Sequence, residues 1–237
     1  MAPAQLDSPS SVLMFSGGID SAAALKQLLS ETDEKLYVHH IHIKNGEGKN
    51  IRRYKMEAKA VRKIIPYMKK NYRDFHYSES TIDVKQLFDI KFSYKEDELY
   101  RVPYVYDDSY YSFIGGTLAL TTHSSVVYTG GRNHEYTEDM PVPVNEDTNE
   151  IEIIKTKNNV MDSIFHGAAW PYKAELKRLF LSLYYDKKTC IEYLEDELMS
   201  MVWYCREPTL KDGHIITCNN CSSCKDVLEA KRRGKYG

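Results

Sequence analysis

The short apolar run 11–15 (Ser-Val-Leu-Met-Phe) stops at Ser16-Gly17-Gly18-Ile19-Asp20-Ser21, and a helix-forming stretch follows at once from Asp20 to Leu29. A strand, a two-glycine turn and a helix in immediate succession leave few folds open. Without Cβ atoms, Gly17 and Gly18 let the backbone turn sharply and come within contact distance of an anion. The N–H groups of such a turn, with the helix N-terminus behind them, face that anion with a favourable dipole. Ser16 and Ser21 add hydroxyl donors. Asp20 is poorly suited to touching phosphate and is assigned to Mg²⁺ or to capping the helix. The whole segment Phe15, Ser16, Gly17, Gly18, Ile19, Asp20 and Ser21 is therefore expected to form a phosphate site. It lacks the Gly-Lys-Ser/Thr ending of a Walker loop, so no lysine from the turn reaches a γ-phosphate. A glycine turn without a ligand is the plainer use of such a string, but it has no need of both serines and the aspartate.

The rest of the chain continues the alternation. Residues 36–43 read as a second strand, and 50–70 as a helix with Ile51, Tyr54, Ala58, Val61, Ile64 and Ile65 at helical spacing. Pro66 is expected to kink or end that helix. Residues 74–80 read as a third strand, 108–122 as a helix entered through Asp107 or Asp108, and 125–129 as a fourth strand ending at Gly130-Gly131. This order predicts an α/β fold, a doubly wound parallel sheet with helices on both faces. Ligands in such sheets sit beyond the carboxyl ends of the strands. The loops after Phe15, Ile43 and Thr129 lie at that edge, which makes Gly130 and Gly131 candidate nucleotide contacts. Beyond Pro141 the sequence predicts a polar turn at 145–150, a strand at 151–156, helices at 173–185 and 190–201, and a basic terminal helix at 225–233. A boundary near Val202 separates a nucleotide-binding domain, 1–201, from a C-terminal segment, 202–237.

Four of the five cysteines fall in that segment: Cys205, Cys218, Cys221 and Cys224, spaced C-x12-C-x2-C-x2-C. Two-residue spacers let neighbouring thiolates converge on one ion, and four thiolates complete a closed tetrahedral Zn²⁺ site. The mostly polar residues between Cys205 and Cys224 form no core of their own, so metal binding supplies folding energy. An iron–sulfur cluster is the competing use of four cysteines; their distance in sequence from the glycine loop favours zinc. Cys190 reads as a small core residue. A chain of 237 residues with net charge −2 carries no global nucleic-acid footprint. It has no apolar stretch of the roughly 18 residues a membrane span needs, and residues 1–10 lack a signal-peptide layout. A cytoplasmic location is expected.

The Ser-Gly-Gly-x-Asp-Ser string resembles the PP-loop of the N-type ATP pyrophosphatases, which cleave ATP between the α and β phosphates. With the four cysteines, it resembles the 7-cyano-7-deazaguanine (preQ0) synthase family. Trp203-Tyr204-Cys205 matches that family's Trp-x-Cys lead-in, and 171–176 (Pro-Tyr-Lys-Ala-Glu-Leu) its Thr-Lys-x-Glu-Ile helix start. Val102-Pro103 and the Gly130-Gly131 turn also have family equivalents. The chain departs from the pattern at 104–107 (Tyr-Val-Tyr-Asp), where the family has Arg-Asn, at 135–141, where it has Tyr-Pro-Asp, and in a longer loop between the first two cysteines. These departures fall in the substrate region, as expected of a divergent viral or defence-associated member. The resemblance implies an adenine nucleotide alpha hydrolase-like fold that uses ATP, Mg²⁺ and Zn²⁺. It also implies adenylation of 7-carboxy-7-deazaguanine, attack by ammonia to give an amide, and a second activation that yields the nitrile. Asp20 and Lys173 are its catalytic candidates, Lys173 pairing with a phosphate or the substrate carboxylate. A homodimer is implied as well.

Other outcomes of the same activation remain open: a ligase that stops at the amide or joins a deazaguanine acid to another amine or a protein, or a tRNA-modifying adenylating enzyme. The last needs a nucleic-acid surface and usually a cysteine near the nucleotide, and the chain has neither a basic excess nor a cysteine before Cys190. A zinc-containing nucleotide sensor is the non-enzymatic reading. Arg132, Asn133, His134 and Glu135 are placed to hold the base or a metal. His39, His40 and His42 alternate along a strand and read as satisfied strand histidines. Lys69, Lys70 and Arg73 read as a solvated helix end.

Overall fold

The computed structural model describes residues 10–44, 49–83, 107–124, 126–130, 144–145, 150–151, 175–179 and 187–233. Within these, β1 (Ser10–Met14) leads through the glycine turn into α1 (Ile19–Glu31), β2 (Lys35–Lys44), α2 (Lys49–Asn71) and β3 (His76–Asp83). Then come α3 (Asp107–Thr122), β4 (Val126–Gly130), a two-residue-per-strand hairpin of β5 (Val144–Asn145) and β6 (Glu150–Ile151), and β7 (Glu175–Leu179). The chain closes with α4 (Lys187–Met199), β8 (Thr209–Lys211), β9 (His214–Ile216) and α5 (Ser222–Arg233).

Among the described residues five strands form one sheet in the order β3-β2-β1-β4-β7, every neighbouring pair parallel. The fold is the expected α/β parallel sheet with helices on both faces. Its central strand is β1, whose near-continuous apolar run is what burial on two faces requires. Leu13 and Phe15 point to one face, where they meet Leu36, Val38 and buried residues of α1, α2, α4 and α5. Val12 and Met14 point to the other, against Ile41, Val127 and the apolar side of α3. The chain first moves outward from β1 to β2 to β3, then returns so that β4 pairs on the opposite side of β1. The strand order reverses between β1 and β4, so the topological switch point lies just beyond Met14 and Gly130.

Two local expectations are corrected. Pro66 does not end α2, which continues to Asn71. The proline is exposed while Ile64, Ile65 and Met68 around it are buried, so the missing N–H bond falls on the solvent side, where water can take the freed carbonyl. Part of the helix expected over 173–185 is a strand: Glu175–Leu179 pairs in parallel with β4 and is the outermost strand on that side among the described residues. Its Leu, Glu, Lys and Arg content favours a helix locally, and the pairing overrides it. Strand β6 ends at Ile151, and 152–156 lie outside the described residues.

Helix α4 is broken at Glu195, whose φ of 62° and ψ of 171° are not helical. Buried Lys26 donates to the carbonyl of Tyr193 at 2.5 Å, satisfying a group near the break. Among the described residues no helix is long and apolar enough to cross a membrane.

Candidate functional site

The glycine turn sits at the switch point and is held from three directions. Gly17 adopts φ 76°, and a Cβ there would lie 2.9 Å from Val61 Cγ2 of α2. Its carbonyl accepts the backbone N–H of Trp203 at 3.0 Å. Phe15 is fully buried, so its side chain serves the core; its carbonyl accepts a hydrogen bond from His40 Nδ1 at 2.8 Å. Burial lowers the His40 pKa to about 4, against the opposing pull of that carbonyl, so the ring is neutral near pH 7 with its Nδ1 proton on the Phe15 bond. Ser16 Oγ and Ser21 Oγ are 2.9 Å apart, Gly18 N donates to Ser16 Oγ at 3.3 Å, and Ser21 Oγ donates to the Gly18 carbonyl at 3.1 Å. Gly18 is the N-cap of α1 and offers no side chain to its first turn. That turn therefore presents N–H donors and the positive end of the helix dipole.

Ser16, Gly18, Ile19, Asp20 and Ser21 line a cleft of about 200 Å³. Its other walls come from distant parts of the chain: Arg53 and Glu57 of α2, Tyr111 of α3, Lys187 of α4, Trp203, Tyr204 and Arg206 beyond it, and Ser223 of α5. Lys187 is nearly buried and forms an ion pair with Asp20. The catalytic candidate Lys173 lies outside the described residues, as do Gly131 and 132–135. Gly130 ends β4 beside the end of β1, where Met14 pairs with Thr129. No local signal separates Lys187 from Lys188. The structure pairs the first with Asp20 and leaves the second at the surface, 3.8 Å from Glu192.

Of the three strand histidines only His39 is satisfied at both ring nitrogens, as expected; His40 Nε2 and His42 Nδ1 are buried without a hydrogen bond among the described residues. His39 bridges Ser78 and Ser80 at 2.8 and 2.9 Å, His40 holds Phe15, and His42 pairs with Glu79. Lys69 pairs with Asp74 at 2.8 Å. A larger depression, about 730 Å³, opens at the amino edge of the sheet between Ser10, Lys35, Arg73 and His123. It has no glycine turn and faces away from the switch point, so size does not decide between the two.

The four cysteines converge as their spacing predicts. Their sulfurs all lie within 4.8 Å of one another, an arrangement that can hold a metal ion. Cys205 Sγ is 3.6 Å from Cys218 Sγ, which is 3.9 Å from Cys224 Sγ. Backbone N–H groups of Cys218, Asn220 and Cys221 point at sulfurs at 3.2–3.4 Å, as thiolates require. Burial raises the Cys205 and Cys224 thiols. At Cys221 burial acts in the same direction, but hydrogen bonds led by the Arg206 N–H outweigh it and hold the group at about 6. The long loop between the first two cysteines is the β8–β9 hairpin. Its Asp212-Gly213 turn has positive φ at both residues, 50° and 76°. Asp-Gly is a strong hairpin signal, and the sequence carried it.

No protein-family model matches the chain, and no curated protein matches it. Solved structures bear a distant likeness, among them the following two. The U34-tRNA thiolase NcsA from Methanococcus maripaludis, solved with its [4Fe-4S] cluster, has 9% identity and a TM-score of 0.45 over 94% of this chain and 63% of its own. The hypothetical protein PH0823 has 11% identity and a TM-score of 0.30, covering 56% of this chain and 82% of its own. The chain thus spans less than two thirds of the thiolase it is similar to.

Proposed function

We propose that the chain is a PP-loop ATP pyrophosphatase that activates a carboxylate by adenylation, with 7-carboxy-7-deazaguanine and ammonia as substrates and the nitrile as product. The observation that carries the nucleotide part is the uncapped α1 N-terminus at the switch point, with Ser16 and Ser21 on one side and Lys187 on the other. The substrate's identity rests on the sequence resemblance.

The loop N–H groups and Lys187 would hold the β,γ-diphosphate. A substrate carboxylate oxygen attacks the α-phosphorus and pyrophosphate leaves. Charge grows on the departing group, and donors already aimed at it stabilise that charge without reorganising. Ammonia then attacks the acyl carbon and expels AMP, leaving an amide. A second ATP activates the amide oxygen, which departs with AMP as the nitrile forms. Asp20 orients Lys187 in the resting site. Mg²⁺ characteristically binds one or two carboxylates plus substrate phosphates, and Asp20 is one of the two cleft carboxylates that could serve, the other being Glu57. The ion would neutralise charge on the phosphates.

The cysteine centre is assigned to structural zinc. Four thiolates at zinc–sulfur distance in a tetrahedron stand about 3.8 Å apart, and 3.6 and 3.9 Å fall on either side of that value. A four-iron cluster places a metal framework between the thiolates and spreads them several ångströms wider.

Incubation with ATP, Mg²⁺ and 7-carboxy-7-deazaguanine, with and without ammonia, tests the reading by pyrophosphate release and mass spectrometry. Nitrile supports it in full. An adenylated acid or an amide as the end product keeps the activation step and revises the product. Ser16→Ala, Asp20→Ala and Lys187→Ala should each lower pyrophosphate release on the order of 100-fold, the loss typical of one oriented donor. Release at the wild-type rate by all three variants would refute the assignment.

A further inference from the structure

Four consecutive residues join the metal centre to the cleft. Trp203 donates its backbone N–H to the Gly17 carbonyl at 3.0 Å and its indole N–H to the Cys205 carbonyl at 2.9 Å. Trp203, Tyr204 and Arg206 face the cleft, while Cys205 between them is buried among the ligand sulfurs. Ser223, the residue before Cys224, faces the cleft from the other side of the centre. Arg52 closes the segment by donating to the Pro208 carbonyl at 3.1 Å.

Three cations line this cleft, and two of them are already balanced. Arg53 is bound to Glu57 at 2.7 Å, and Lys187 to Asp20. Arg206 is exposed and pairs with no carboxylate among the described residues. Its planar fork of N–H donors suits a phosphate. A flexible arginine on a free loop would lose much of that advantage to ordering entropy. Here both flanking positions are fixed, Cys205 by the thiolate cluster and Trp203 by the phosphate loop.

We propose that the four-cysteine centre presents Arg206 as a contact for the phosphates of the bound nucleotide, so that ion and nucleotide each strengthen the other's site. This rests on the nucleotide reading above. Reciprocity follows from linkage: a segment ordered by one ligand stabilises the other by the same factor.

Calorimetry with ATP–Mg²⁺ on the metal-loaded protein tests the contact. Arg206→Ala should bind about 10- to 100-fold more weakly than wild type, whereas Lys211→Ala, on the hairpin outside the cleft, should bind equally. Arg206→Gln, which keeps a polar stem, serves as the second variant if alanine loosens the segment; circular dichroism and thermal melting establish that each is folded. The coupling is read without any turnover, from the rate at which a chromophoric chelator removes the metal. ATP–Mg²⁺ should slow that rate several-fold in wild type and leave it unchanged in Arg206→Ala. Free ATP competes for released ion equally in both proteins, so the difference between them reports the coupling. Wild-type affinity in both Arg206 variants, or equal slowing in wild type and variant, overturns the proposal and leaves the nucleotide reading standing. A wild-type protein that binds no ATP overturns both.

Discussion

Gly17 and Gly213 share one backbone conformation, φ 76°, in opposite surroundings. A Cβ at Gly213 meets nothing within 4 Å, whereas at Gly17 it meets Val61 Cγ2 at 2.9 Å and the backbone of α2 at 3.3 Å. Alanine at Gly213 should therefore cost only the left-handed backbone penalty, about 1–2 kcal/mol. At Gly17 the same penalty is joined by displacement of the turn from α2, because backbone atoms cannot rotate aside as a side chain does. Thermal unfolding of the two variants checks the order: Gly17→Ala should be the less stable, and it alone should lose ATP binding. Equal melting temperatures would mean that the turn can slide away from α2 at little cost. Gly18, at φ −85°, has an ordinary conformation, and what it needs is clearance from Ser16 and Trp203. In the sequence the two adjacent glycines are indistinguishable, and only the packed structure separates their roles.

At the scale of elements, α2 shows how tertiary burial overrides a local stop signal. Ile64, Ile65 and Met68 are held in the core on both sides of Pro66, and the helix runs through. Pro66→Ala should restore one backbone hydrogen bond on the exposed face and raise stability by about 1–3 kcal/mol. Chemical denaturation measures this, and a loss of stability would show that the proline ring itself is packed. The β1–turn–α1 unit was legible in the sequence because all its determinants are contiguous, between Ser10 and Glu31. The cysteine centre was legible because its spacing alone brings three sulfurs together. Strand β7 was not, since its composition is that of a helix and its state is set by β4, which is distant in sequence. Lys187 was illegible for the same reason: its partner Asp20 lies 167 positions away.

Among the described residues, the cysteine-bearing segment shares its packing with the helices of the core. Val227 and Ala230 of α5 belong to the same buried cluster as Leu25 and Leu28 of α1 and Leu194 and Leu198 of α4. Cys224 sits in that helix, and Cys205 follows the segment hydrogen-bonded to Gly17. The thiolates therefore fix both the last helix of the core and one wall of the cleft. Structural metal sites contribute their binding energy directly to folding, and an ion held by these cysteines would deliver that energy to shared packing. Removing the metal should lower the unfolding transition of the entire chain by on the order of 10 °C or more, and amide exchange should accelerate in α1 and α4 as well as between 203 and 224. An independent tail would behave differently, with faster exchange confined to the cysteine segment and an unchanged core transition. Hydrogen exchange separates the two cases because it reports each element by itself. The shared core favours the first: once α5 is released, Leu194 and Leu198 lose their cover, and the loss reaches α1 through contacts that no boundary interrupts.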